Sequence, residues 1–319
     1  MIKILANDGL SDAGCRLLQE AEFELSTEKV EQGNLVNEIN EKKYDAVLVR
    51  SATKITKEII DSCPSLKLIG RGGVGMDNIE VEYAKSKGIA VVNTPAASSA
   101  SVAELVFAHL FSICRYLNYS NRQLREGDFK SLKKKYSHGI ELAGKTLGII
   151  GVGKIGKEVA KRALGLGIKV LATDPFQEKV EVRAELFGTE EIDVVIKLKT
   201  VTLAETLMNS DFITVHVPLG EDKKPIIGRD ELNKMKRGVI LLNIARGGVV
   251  DEDALIEALK EGKIRSAGLD VFLNEPKPRE DLLQMDNISL SPHIGGSTVE
   301  AQARIGIEIA ELVINFFKK

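Results

Sequence analysis

The 319-residue sequence has almost no net charge, no cysteine framework and no long apolar run. Its 44 lysines and arginines stand against 46 aspartates and glutamates, a formal charge of −2. That balance argues against a nucleic-acid partner bound by phosphate neutralisation. No apolar run approaches the length of a membrane span, and Met1–Asp8 lacks a signal-peptide pattern, so neither a membrane segment nor secretion is expected. Cys15, Cys63 and Cys114 are odd in number and share no close spacing, which excludes a disulfide framework and a zinc site. No metal is expected, and the thiols read as buried apolar groups in a reducing cytoplasm. Against these absences stand 44% hydrophobic and 28% charged residues, the composition of an ordinary globular protein. The length suits two domains.

The most informative stretch is 145–174, KTLGIIGVGKIGKEVAKRALGLGIKVLATD. Thr146–Ile150 is a short apolar run suited to a strand buried on both faces. Gly151, Gly153 and Gly156 then spell G-x-G-x-x-G. Ile155, Val159, Ala163 and Leu166 follow on one helical face, and a second apolar run, Ile168–Ala172, leads to Asp174. A plain glycine-rich turn gives the same letters as the motif alone. The surrounding strand, helix, second strand and acidic terminus are what point to a dinucleotide. Its pyrophosphate would lie on unpaired N–H groups at the helix N-terminus, and Asp174 would accept from the adenosine ribose hydroxyls.

Residues 1–97 alternate strand candidates (Ile2–Ala6, Glu22–Leu25, Ala46–Val49, Leu66–Ile69, Ile89–Val92) with helical patterns near 11–20, 32–42, 56–62 and 80–87. This is the pattern of an open parallel sheet, so the fold class is α/β: a Rossmann-type doubly wound sheet plus a second α/β domain of flavodoxin-like kind. Ligands gather at carboxyl ends of such strands. Those ends carry Arg50–Ser51 and Arg71–Gly72–Gly73–Val74–Gly75, a natural anion site against the plainer reading of turn glycines and solvated arginines. A helix is predicted from a Ser101–Glu104 capping box to about Glu126, apolar on more than one face and therefore central or at a subunit interface. His109 reads as a packed histidine, residues 127–140 as a basic loop, and Lys133–Lys135 as solvated surface. Beyond Asp174, Arg246, Asp270, Glu275 and His293 stand just past or close to the ends of three predicted strands. One sheet edge can therefore gather an arginine for a carboxylate, a histidine to move a hydroxyl proton and a carboxylate to orient it.

These residues lie in motifs that resemble the D-isomer-specific 2-hydroxyacid dehydrogenase family: GRGGVGMDNI (70–79), GVGKIG (151–156), NIARGGVVDEDAL (243–255), AGLDVFLNEP (267–276) and SPHIGGST (291–298). The resemblance covers essentially the whole chain. It implies Arg246, Glu275 and His293 as the catalytic set and NAD as cofactor. It implies cofactor contacts at Gly151, Gly153, Lys154, Ile155, Gly156, Asp174, His216, Pro218, Ile244, Ala245, Asp270 and Gly295. It further implies a discontinuous substrate domain, 1–98 with 290–319, around a dinucleotide domain, 99–289. LVRSATKIT (48–56) is similar to the family branch that oxidises 3-phosphoglycerate for serine biosynthesis, where Arg50, Ser51, Arg71, Gly73, Val74 and Gly75 would hold substrate. Hydroxypyruvate or glyoxylate reduction is the alternative, and an NAD(H)-sensing co-repressor a more distant one. A homodimer acting on a small 2-hydroxy or 2-oxo acid is expected. The chain departs from the family pattern at 188–203, which is longer than usual, and at KKPIIG (223–228). No extension after Lys319 supplies the small regulatory domain of some relatives, so that domain is expected to be absent.

Overall fold

The computed structural model describes residues 1–185, 193–220 and 222–318. The chain forms two compact units, Met1–Ser99 with Gly296–Lys319, and Ala100–Gly295. In the first unit, strands β1 (Lys3–Ala6), β2 (Glu24–Ser26), β3 (Ala46–Val49), β4 (Leu68–Arg71) and β5 (Ala90–Asn93) form a parallel sheet in the order β2-β1-β3-β4-β5. The alternating helices are α1 (Asp12–Glu20), α2 (Leu35–Lys42), α3 (Lys57–Ser62) and α4 (Val81–Ser86). Every residue of β3 is buried, as an apolar strand covered on both faces must be. Leu35, Ile39, Ile59 and Ile60 pack one face. Leu18 of α1 and Ile309, Ala310 and Val313 of the C-terminal helix Val299–Phe317 pack the other. The two helices cross so closely that a Cβ on Gly14 would lie 2.5 Å from the Gly306 carbonyl oxygen.

The second unit opens with α5 (Ser99–Cys114), α6 (Leu117–Gln123) and α7 (Phe129–Lys135). Then follow β6 (Thr146–Ile150), α8 (Lys154–Gly165), β7 (Lys169–Thr173), β8 (Lys179–Glu185), β9 (Asp193–Lys199), α9 (Leu203–Asn209), β10 (Phe212–Val215), α10 (Arg229–Lys234) and β11 (Val239–Asn243). The last elements are α11 (Glu252–Lys260), β12 (Ile264–Leu269), α12 (Glu280–Leu283) and β13 (Ile288–Leu290). The main sheet is parallel, ordered β13-β12-β11-β10-β6-β7. Strand order reverses at β6 and β10, so connections leave their carboxyl ends in opposite directions and open a crevice there. Helices α5 and α8 cover one face through Val106, Leu110, Val159 and Ala163. The other face takes α9, α10 and α11 through Leu207, Leu232 and Leu255.

Four local expectations change. The helix predicted to reach Glu126 ends at Cys114, because Tyr116 adopts a left-handed conformation (φ 54°) and α6 leaves at a 57° bend. Val102, Val106, Phe107, Leu110 and Ile113 lie in the unit's own core, while Phe111 is exposed. The Ser101–Glu104 capping box does not form. The helix begins two residues earlier, the Ser101 hydroxyl donates to the Gly295 carbonyl (2.7 Å), and Glu104 pairs with Arg162 (3.0 Å). The basic loop contains α7, which Asp128 caps by accepting from the Ser131 N–H (2.8 Å), with its three lysines at the favourable C-terminal end. Lastly, β8 and β9 form an antiparallel hairpin that was not anticipated. Of the longer segment 188–203, residues 188–192 lie outside the described residues, and most of the remainder is β9. No single described helix is long and apolar enough to cross a membrane.

Candidate active site

The turn after β6 has the geometry a pyrophosphate requires. Gly151 has φ +90°, and a Cβ there would sit 2.6 Å from the His216 carbonyl oxygen. A Cβ on Gly156 would collide with the Gly151 carbonyl, so strand and helix approach only because both residues are glycine. Gly153 is the N-cap of α8 and faces open space, leaving the first-turn N–H groups, including those of Lys154 and Ile155, available to an anion. Asp174 follows β7, and its Oδ2 accepts from the Val152 N–H at 3.1 Å, tying it to the glycine turn. Donors at one end and a carboxylate at the other fit a dinucleotide. His216 and Pro218 follow β10 on the opposite side of the strand reversal. The His216 Nε2 lies 2.9 Å from Thr214 Oγ1, its Nδ1 is buried without a partner among the described residues, and burial pushes its pKa down to about 3. The imidazole is therefore neutral.

The chemistry-bearing groups follow β11, β12 and β13 (the ends that parallel pairing aligns). Past β11, the buried Asn243 pins the turn: its Nδ2 donates to the Arg246 carbonyl (3.0 Å) and its Oδ1 accepts from the Ala245 N–H (3.1 Å). Ile244 is buried in the core beneath. Past β12, Glu275 Oε1 accepts from the Phe272 N–H at 2.9 Å, while Oε2 lies 2.7 Å from His293 Nδ1. Burial would raise the Glu275 carboxyl, but the His293 hydrogen bond, the Phe272 N–H and the charges of His293 and Arg246 hold it below its usual range. Past β13, His293 is held in the left-handed region (φ 55°), its N–H donating to the Asp270 carbonyl at 2.8 Å. A cavity of about 340 Å³ adjoins the pair, lined by Phe272, Pro276, Leu283 and Leu290 as well as Glu275 and His293.

Asp270 is 1% exposed, and both its carboxylate oxygens are engaged. Oδ1 accepts from Ser291 Oγ (2.5 Å) and the Ile294 N–H (2.8 Å), and Oδ2 from the Gly295 N–H (2.8 Å). It therefore shapes the loop that carries His293 and Gly295. Behind it stands His109, with Nδ1 2.8 Å from Ser289 Oγ and Nε2 2.9 Å from Ser291 Oγ. Burial lowers the His109 pKa, outweighing the nearby Asp270 charge. Sequence reading missed Ser289, Ser291 and the link they make, since hydroxyls in a strand and the turn beyond it carry no spacing signal.

In the first unit, Arg50 follows β3 and Arg71 ends β4. Asn78 joins their loops: Arg71 Nε donates to its Oδ1 (3.1 Å), and its Nδ2 donates to the carbonyls of Arg50 (2.7 Å) and Thr53 (2.5 Å). Asp8 fixes the Arg50–Ser51 loop by accepting from the N–H groups of Arg50 (2.7 Å) and Thr53 (3.1 Å). Gly73, at φ +143°, donates to Thr94 Oγ1 (2.8 Å), and the Val74 carbonyl accepts from Asn93 (2.7 Å). Asn78 and Asp8 are further organising residues that sequence reading missed.

Fold and site together define a dinucleotide-dependent oxidoreductase. A family model described as D-isomer specific 2-hydroxyacid dehydrogenase, NAD binding domain, matches residues 107–295. The hydroxypyruvate reductase of Thermotoga maritima is 44% identical over 315 residues, covering 98% of this chain and 97% of the relative. The D-3-phosphoglycerate dehydrogenase of Methanocaldococcus jannaschii is 45% identical over 314 residues, which are 98% of this chain but 57% of the relative. Among solved structures, an NADPH-dependent glyoxylate/hydroxypyruvate reductase from Sinorhizobium meliloti, in complex with NADP and malonate, aligns with a TM-score of 0.79 at 26% identity, covering 100% of this chain and 94% of that one. The chain belongs to the D-isomer-specific 2-hydroxyacid dehydrogenases, NAD-dependent oxidoreductases, and its second unit contains their NAD-binding domain.

Proposed function

We propose that the chain interconverts 3-phosphoglycerate and 3-phosphohydroxypyruvate with NAD, with Arg246, Glu275 and His293 as its catalytic residues. The observation that carries the substrate choice is the pair of arginines at adjacent strand ends of the first unit, Arg50 and Arg71, joined through Asn78. Two guanidinium groups suit a dianionic phosphate far better than a hydroxymethyl group. Arg246 clamps the substrate carboxylate. His293 keeps Nδ1 on Glu275, so Nε2 is left to take the C2 hydroxyl proton in oxidation and return it in reduction. When bound, NAD would accept the hydride that leaves substrate C2 in oxidation. Glu275 stays ionised, fixes the tautomer and ring orientation, and balances the imidazolium formed when His293 gains the proton.

A second reading is hydroxypyruvate reduction, favoured by the Thermotoga relative, which this chain matches over nearly its full length. Rates of NADH oxidation with 3-phosphohydroxypyruvate, hydroxypyruvate and glyoxylate separate the two. The phosphorylated acid should give the largest kcat/KM. A larger value for hydroxypyruvate would replace the first reading with the second, and absence of turnover with all three would remove both. We place the enzyme in the cytoplasm as a homodimer. Leu117, Leu124 and Phe129 are the exposed apolar residues of the α6–α7 segment that such a partner would cover.

A further inference from the structure

We infer that Gln177 is a second ribose-binding residue, and that with Asp174 it sets the preference for NAD over NADP. The inference rests on the reading of Asp174 as the ribose carboxylate and extends it to a residue that no glycine-motif rule would select. Gln177 Nε2 lies 3.0 Å from Asp174 Oδ2 and 3.4 Å from the Val152 carbonyl. Both partners can only accept, so the amide nitrogen, not its oxygen, must face them. The side chain therefore bridges the glycine turn and the ribose carboxylate.

This bridge divides the acceptors of the site. Among the described residues, Asp174 Oδ2 takes N–H groups from Val152 and Gln177, while Oδ1 takes only the Phe176 N–H (3.0 Å). One acceptor position remains on Oδ1, and Gln177 Oε1 is turned away from its own two acceptors. Two acceptors for two ribose hydroxyls is the requirement of NAD. A 2′-phosphate brings only oxygens and negative charge, so it would meet a carboxylate and an amide oxygen with no donor between them. Pro175, Phe176 and Gln177 include no cation.

Gln177 is also anchored in a way unlike a surface glutamine. Its carbonyl accepts from Thr200 Oγ1 at 2.6 Å, and the Thr200 N–H donates to the Glu178 carbonyl at 3.0 Å. Val201 then donates to Ala172 of β7 at 2.8 Å. These bonds close the neck of the β8–β9 hairpin. Its Val180 and Val182 are each 1% exposed and pack in the core that includes α8 residues Val159, Ala160 and Ala163. The hairpin thus holds the residues just after the ribose strand against the glycine-motif helix, and Gln177 is where that hold reaches the cofactor site.

Dissociation constants for NADH and NADPH, read from dihydronicotinamide fluorescence, test the assignment. Gln177→Ala should weaken NADH about tenfold, equivalent to about 1.4 kcal/mol, while NADPH weakens less, so the preference narrows. Gln177→Arg should tighten NADPH and bring the two constants within a few-fold of each other. Thr200→Val, which keeps shape but loses the anchoring hydroxyl, should shift the ratio in the same direction by a smaller factor. Asp174→Ala separates the two levels of the argument. If it abolishes the preference while both Gln177 variants keep the parent ratio, Gln177 is a loop residue only and this inference fails. If it too leaves NADH binding unchanged, the ribose reading of Asp174 fails first.

Discussion

The two units hold their charged groups in different ways. In the second, each residue of the proposed catalytic set is braced from behind: Asn243 pins the Arg246 turn, the Phe272 N–H fixes Glu275, and Asp270 holds the loop carrying His293. In the first, Arg71 Nε donates to Asn78, and the Arg50 backbone N–H donates to Asp8. A proton must move between fixed atoms, and pre-organised groups do not reorganise when charge develops. A phosphate contact tolerates looser geometry because the attraction is largely between full charges. On the proposed function, the second unit would carry the reaction and the arginines of the first would carry the substrate choice.

The sharpest attempt to break that division is at His293. His293→Ala should lower kcat about 10²–10⁴-fold, the usual worth of a positioned acid–base group, with every substrate of the panel alike and with NADH still bound. A loss confined to one substrate would mean that His293 recognises substrate and does not move the proton. Glu275→Gln should slow both directions and shift both pH–rate profiles. Unmoved profiles would remove Glu275 as its partner.

The second effect is smaller and should be selective. Arg50→Ala should reduce kcat/KM for 3-phosphohydroxypyruvate by about 10–100-fold, as expected for one hydrogen bond to a charged group. Glyoxylate, which has no phosphate, should lose little. An equal loss with both acids would show that Arg50 supports the first unit's structure and does not read the phosphate.

The parts legible in the sequence were those whose chemistry depends on chain-local spacing. Gly151, Gly153 and Gly156 sit at fixed offsets because one turn must satisfy sterics and phosphate together, and the strand runs around them are apolar because both sheet faces are covered. His293 and Glu275 were placed near one edge by strand ends, but choosing Glu275 over Asp270 as the histidine's partner required the family resemblance. In the fold, Asp270 is committed to the Ile294 and Gly295 N–H groups, a fact of tertiary packing that no spacing encodes. The hairpin was missed for another reason. KVEVRAE and DVVIKLK alternate with a period of two. They stand where a doubly wound pattern leads one to expect a helix. The break at Tyr116 was hidden because the residues on either side keep helical periodicity.

The smallest effect concerns what the bracing in the second unit costs. Burial lowers the pKa of both His109 and His216, His109 between Ser289 and Ser291 and His216 with its Nδ1 unpartnered among the described residues. In the unfolded chain each would take up a proton near the ordinary histidine pKa of about 6.5. The unfolded state therefore binds more protons than the native state below that value, so stability must fall as pH falls. The slope approaches about 1.4 kcal/mol per pH unit for His216. For His216 the loss continues until about pH 3, where the native group also titrates. Between pH 7.5 and 5 most carboxylates remain ionised, so urea midpoints measured there report mainly the histidines. His109→Gln retains hydrogen-bonding capacity toward the two serines but has no proton to gain. It should lower stability at pH 7.5 and lose less than the parent on going to pH 5. If parent and variant fall in parallel, His109 is protonated in the native protein, and the neutral Ser289–His109–Ser291 brace behind Asp270 is wrong.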